Sequence, residues 1–152
     1  MSESLMSERL HIVATFDPYD GAGTTQKSDV WDMQKYRQAM VVIMTGTVQA
    51  GGTLDAKLQE SATSNGTFTT MTGKAITQMT TSMAANQAVI NISDKELAAT
   101  TVTGARWCRL HITAASATVA MGAIVLASES KFREPWTTIS YADLASVIEI
   151  VK

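Results

Sequence analysis

The chain has 152 residues, 45% of them hydrophobic and 17% charged. That is enough apolar material for one core and too little charge for a disordered chain. A formal net charge of -2 with no Lys/Arg run argues against a nucleic-acid-binding surface, and no apolar run approaches the roughly 18 residues of a membrane span. The single cysteine, Cys108, excludes an internal disulfide. The start, MSESLMSERL, lacks the basic and apolar parts of a secretory signal, so a soluble protein made in the cytoplasm is expected.

Residues 1–8 read as a flexible arm. From Leu10 to Phe16 the chain alternates, which predicts a strand with Leu10, Ile12, Ala14 and Phe16 on one face and His11, Val13 and Thr15 on the other. Asp17 to Gly23 reads as a loop. Ser28 to Met33 is predicted as a short strand, in preference to a helical turn over Asp32–Gln38.

Tyr36 to Val48 is apolar enough for a strand buried on both faces. Gln49-Ala50-Gly51-Gly52 breaks it. From Thr53 the pattern alternates strictly, placing Leu54, Ala56 and Leu58 inward and Asp55, Lys57 and Gln59 outward. Ser64-Asn65-Gly66 predicts a second reversal and Thr67–Thr72 a return strand, so Tyr36 to Thr72 reads as a β-meander. Further strands are expected at Ile76–Thr80, Ala88–Ser93 and Ala105–Thr113, the last with Cys108, Leu110 and Ile112 inward and Trp107, Arg109 and His111 outward. Asp94 to Ala98 predicts one helical turn with Asp94 as its N-cap. Thr118 to Ala127, nearly all small or apolar, predicts a central strand covered on both faces. Short strands about every ten residues, with turn signals between them, indicate an all-β, single-domain antiparallel sandwich over residues 9–130.

Residues 131–152 form a C-terminal extension. Lys131 to Trp136 is expected to be extended, because Glu134 precedes Pro135. Beyond it, helical and alternating patterns both fit, and residues 146–152 remain open between helix and strand. The apolar content requires that this extension pack on the domain or on a neighbouring subunit. Phe132, Pro135, Trp136, Leu144, Val147, Ile148 and Ile150 are the candidate partner-binding residues, since large buried side chains dominate interface energetics.

Nothing in the sequence carries a catalytic or metal-binding motif. His11, His111 and Cys108 are the only soft-ligand candidates. Cys108 and His111, three apart on a strand, face opposite sides, so a buried structural cysteine and two surface histidines are expected. Asp17, Asp20, Gly21 and Gly23 match the residue types of a calcium loop, but a plain acidic loop is the preferred reading. Trp107 fits a packing residue better than a sugar platform. No catalytic residue, cofactor or metal is therefore assigned.

Two resemblances sit on particular segments. Leu58 to Gly73 (LQESATSNGTFTTMTG) with Ala105 to Thr113 (ARWCRLHIT) is similar to jelly-roll domains and to galactose-binding-like and discoidin-like sandwiches. More extensively, GAGTTQKSDVWDMQKYRQAMVVIMTG, DAKLQESATSNGTFTTMTGKAITQ and GARWCRLHIT, within residues 21–127, resemble small tailed-phage proteins encoded among head genes. That resemblance implies a jelly-roll-like virion component of the decoration, cement or minor head-protein type. It would be a homo-oligomer or lattice-bound, with the major capsid protein or other virion proteins as partners, and neither nucleic acid nor membrane. The alternative expectation is a carbohydrate-binding sandwich, with Trp107 and the Asp17–Gly23 segment at its binding end.

Overall fold

The computed structural model describes residues 9–98 and 102–130. Among the described residues ten strands run in order: β1 (Leu10–Gly21), β2 (Thr24–Lys27), β3 (Trp31–Asp32), β4 (Tyr36–Val48), β5 (Thr53–Ser61), β6 (Thr69–Ala75), β7 (Met79–Thr80), β8 (Gln87–Ser93), β9 (Trp107–Ala115) and β10 (Val119–Ser130). One sheet has the order β1-β10-β4-β8. The other has β2-β9-β5-β6, with β3 also on β9 and β7 also on β5. All pairings are antiparallel.

If β2 with β3, and β6 with β7, are each taken as one interrupted strand, eight strands remain. Their order is 1-8-3-6 in one sheet and 2-7-4-5 in the other, the double Greek key of a jelly roll. The all-β sandwich read from the alternation is therefore the observed fold.

The core lies between the sheets and is built by alternation. On β9, Cys108, Leu110, Ile112 and Ala114 are all fully buried, and Leu54, Ala56 and Leu58 of β5 lie beside them in the same sheet. Ala39, Val41 and Ile43 of β4 and Val119, Met121, Ala123 and Val125 of β10 close the other side. Trp31 and Met33 plug the sandwich where β3 crosses the end of β9.

Four expectations need correction. The Tyr36–Thr72 stretch is not a meander. The turn at Gln49–Gly52, closed by Gly52 N–H donating to Gln49 O at 2.8 Å, carries the chain from one sheet to the other. The doubly apolar β4 takes an interior place between β10 and β8, while β5, with a polar face, joins β9, and only β5 and β6 remain sequential neighbours. Asp17–Gly23 is likewise not a free loop: β1 continues to Gly21 through a register shift between Phe16 and Tyr19, where Pro18 falls. A proline is tolerated in a strand at such an irregularity.

An earlier shift, between Ile12 and Ala14, reverses the faces of β1. Because the side-chain period is two, one extra residue exchanges inside for outside. His11 thus turns inward and is 6% exposed, while Ile12 points out. Finally, Gln59 is buried despite its expected outward place, covered by Arg109, whose Nε–H donates to Gln59 Oε1 at 2.8 Å.

Smaller differences have local causes. The helix α1 (Asp94–Ala98) is capped one residue earlier than expected. Ser93 N–H donates to Glu96 Oε2 at 2.7 Å, the backward half of a capping box with Ser93 at the N-cap. The Ile76–Thr80 strand shrinks to Met79–Thr80, followed by a 3-10 turn at Thr81–Met83.

Candidate interaction surface

The outer faces of the two sheets have opposite chemistry. On the β2-β9-β5-β6 sheet, Lys27, His111 and Lys57 stand in one cross-strand row, with Thr25, Thr113 and Asp55 in the next. Thr25 and Thr113 share a hydroxyl hydrogen bond of 3.2 Å, and Gln78 Nε2–H donates to Asp55 at 2.8 Å. Burial, and then the cations Lys57, Arg109 and Lys27, hold the His111 pKa below its ordinary value. The Arg109 guanidinium lies 4.1 Å from the centre of the Phe68 ring. Such a face is suited to water.

The β1-β10-β4-β8 sheet is different. Register places Ile12, Leu126, Met40 and Asn91 side by side, and next to them Thr15, Ile124, Val42 and Val89. A further row brings Gly122, Met44 and Gln87 together. At the other end Ser128, Gln38 and Ser93 form a polar rim beside Leu10. Seven apolar side chains therefore form one continuous patch on the outward positions of four strands. Val89 is 51% and Met44 44% exposed, and the remainder are half-buried beside one another.

This patch has a sequence cause. β4 and β10 have apolar residues on both sides, and the core uses only one side of each. The other side is the surface, where the sequence pattern had predicted cover. Contiguous apolar patches of this kind mark interaction sites on soluble domains.

At the end where β1 begins and β10 ends, the patch deepens into a groove of about 410 Å³. Leu10, Met40, Leu126 and Ile92 supply its apolar lining, and Lys74, Asn91 and Glu96 a polar wall. That wall is fixed: Lys74 Nζ pairs with Glu96 Oε1 at 2.6 Å and donates to Asn91 O at 2.7 Å. The hydrogen bond from Lys74 keeps the Glu96 carboxyl below the usual carboxylate range.

The other sequence candidates do not converge on a chemical site. Cys108 faces the core, its thiol pKa pushed far up by burial and then by the charges of Glu60 and Asp32. His111 lies on the opposite face of β9, as the strand period predicts. His11, expected at the surface, is packed inside against Tyr36 with ring centroids 5.6 Å apart, and burial lowers its pKa. Among the described residues no group of three or more His, Cys, Asp or Glu is placed to hold a metal ion, and Asp17, Asp20 and Gly21 are spread along β1.

Trp107 is half-buried with the Arg106 guanidinium 5.0 Å from its ring centre. Arg106 is itself held by a bidentate pair with the buried Asp32 carboxylate. A charged group fixed over the indole leaves that face closed to a sugar. Phe132, Pro135, Trp136, Leu144, Val147, Ile148 and Ile150 lie outside the described residues. The surface that sequence reasoning missed is the outer β4/β10 face, and its signal was present in the doubly apolar pattern of those two strands.

No protein-family model matches the chain, and no curated protein matches it in sequence. Among solved structures, a chain in a structure of infectious bursal disease virus, Gx strain, is similar with a TM-score of 0.52 and 14% identity, over 84% of this chain and 34% of that one. A chain from the Gt strain of the same virus gives 0.49 and 13%, over 82% and 34%. The protein thus spans about a third of the length of the solved chains it matches. At this identity the likeness is one of fold.

Proposed function

We propose that the protein is a non-enzymatic structural component of a tailed-phage particle. It binds the capsid or an adjoining virion lattice as a decoration, cement or minor head protein, with the major capsid protein or other virion proteins as partners. The observation that carries this reading is the apolar outer face of the β1-β10-β4-β8 sheet, set on a body whose other outer face is polar. The fold's likeness to a chain of a virus structure supports it, as does the resemblance to phage head-gene proteins. On a symmetric lattice, modest contacts repeated many times gain by avidity.

The test is co-sedimentation of the purified protein with particles assembled without it. Wild-type protein is expected to saturate the particles. Met44→Asp with Val89→Lys, both exposed on the outer face, is expected to fold and to lose at least tenfold in occupancy, because a charge cannot be buried cheaply at an apolar contact. Unchanged occupancy in that variant would refute the assignment of this face.

A further inference from the structure

The polar outer face carries a cluster of cations without counter-charges among the described residues. Lys27 on β2 and Lys57 on β5 flank His111 on β9 in one cross-strand row, about 10 Å apart at two strand spacings. Arg109 precedes His111 by two residues on β9 and so shares its face. After burial, the fields of Lys57, Arg109 and Lys27 are what depress the His111 pKa, so cations from three strands act on one point. Among the described residues Lys27, Lys57 and Arg109 enter no ion pair. The acids beside them are engaged: Asp55 accepts from Gln78, and Asp29, at the sandwich edge with Lys27, accepts from Thr15. Arg109 is fixed in advance by its bond to Gln59 at 2.8 Å and its place over the Phe68 ring. A guanidinium held in this way loses little freedom on meeting an anion.

We propose that this cluster binds the phosphate of a phosphorylated sugar. Converging cations suit one group with nearly two charges and three acceptor oxygens, as in a phosphate monoester, better than single carboxylates spaced along a peptide. The adjoining row assigns the sugar. There Thr25 and Thr113, hydrogen-bonded to each other, stand beside Asp55 with its Gln78 partner, about 7 Å along the strands from the lysines. Hydroxyls, an amide and a carboxylate, with no apolar side chain among them, match the hydroxyls of a hexose, which both donate and accept. The separation of the two rows is comparable to the length of a hexose phosphate. The capsid contact proposed above uses the other sheet, so this site stays open when that contact forms, and either reading can fail without the other.

An NMR titration of the full chain, followed at the His111 ring and at constant ionic strength in chloride, tests this. The probes are the primary phosphate esters of glucose, galactose and mannose, inorganic phosphate, and the free sugars. At least one hexose phosphate is expected to saturate the site, threefold or more tighter than inorganic phosphate, with no response to the free sugars. Lys27→Gln with Lys57→Gln removes no hydrogen bond or ion pair among the described residues, so it is expected to fold normally and weaken binding at least tenfold. Thr113→Val is expected to reduce the hexose phosphate to the level of inorganic phosphate. Equal affinity for inorganic phosphate in the wild type would overturn the sugar assignment, and a response to every phosphate that never saturates would overturn the site. Tighter binding of a phosphoserine peptide than of any hexose phosphate would overturn the proposal in favour of a protein partner.

Discussion

Leu110 and His11 show what single positions contribute. Leu110 is fully buried between the sheets opposite Leu58, so Leu110→Ala removes apolar contacts and leaves a cavity. A loss of about 2–5 kcal/mol is expected in urea denaturation. His11 is inside only because of the register shift that follows it. Its folded pKa lies below the usual 6.5, through burial, and that of His111 lies below 6.5 as well. The unfolded chain therefore takes up protons first as pH falls, and stability declines below about pH 6.5. Glu96, whose pKa is lowered by Lys74, loses its contribution only in more acid solution, below its ordinary 4.5. Comparing urea midpoints at pH 7.5 and 5 thus isolates the histidines, and His11→Phe is expected to reduce the difference. An undiminished difference in that variant would assign the effect elsewhere.

At the scale of elements, the connection between β4 and β5 decides which strands share a sheet. Gly51 has a φ of +81° and no neighbour that an added Cβ would meet, so its role is conformational. Gly51→Ala is expected to cost about 1 kcal/mol, since an L-residue is disfavoured there, with the same fold by circular dichroism. A cost of zero would mean that the turn relaxes to another type. The turn was readable in sequence as Gly-Gly, but its consequence was not. A reversal says that the chain turns back, not whether it rejoins the same sheet. That choice belongs to β10 and β9, which arrive some sixty residues later to pair with β4 and β5 respectively. The two shifts in β1 were hidden for a related reason: a bulge is imposed by the partner strand, and β10 lies at the far end of the chain.

For the whole molecule, the asymmetry between the two outer faces is the feature with functional content. Met44→Asp with Val89→Lys, the two most exposed positions of the patch, is predicted to change particle occupancy far more than thermal stability, because surface substitutions away from packed sites usually shift stability by within about 0.5 kcal/mol. A large fall in melting temperature would mean instead that this face is part of the folding unit. The outer face of β4 and β10 was legible as two strands with apolar residues on both sides, but which side stays open was not, because it depends on which face of each strand the second sheet covers.

Periodicity along the chain was sufficient for most of the strands, though not for β2 or the far end of β1, and for the sandwich class and the inward Leu54, Ala56, Leu58, Cys108, Leu110 and Ile112, since alternation is a local property of a pleated backbone. Only the tertiary structure decided the sheet to which each strand belongs, the inward turn of His11 and the open side of β4 and β10. Those outcomes rest on pairings between residues far apart in sequence, and no local pattern encodes them.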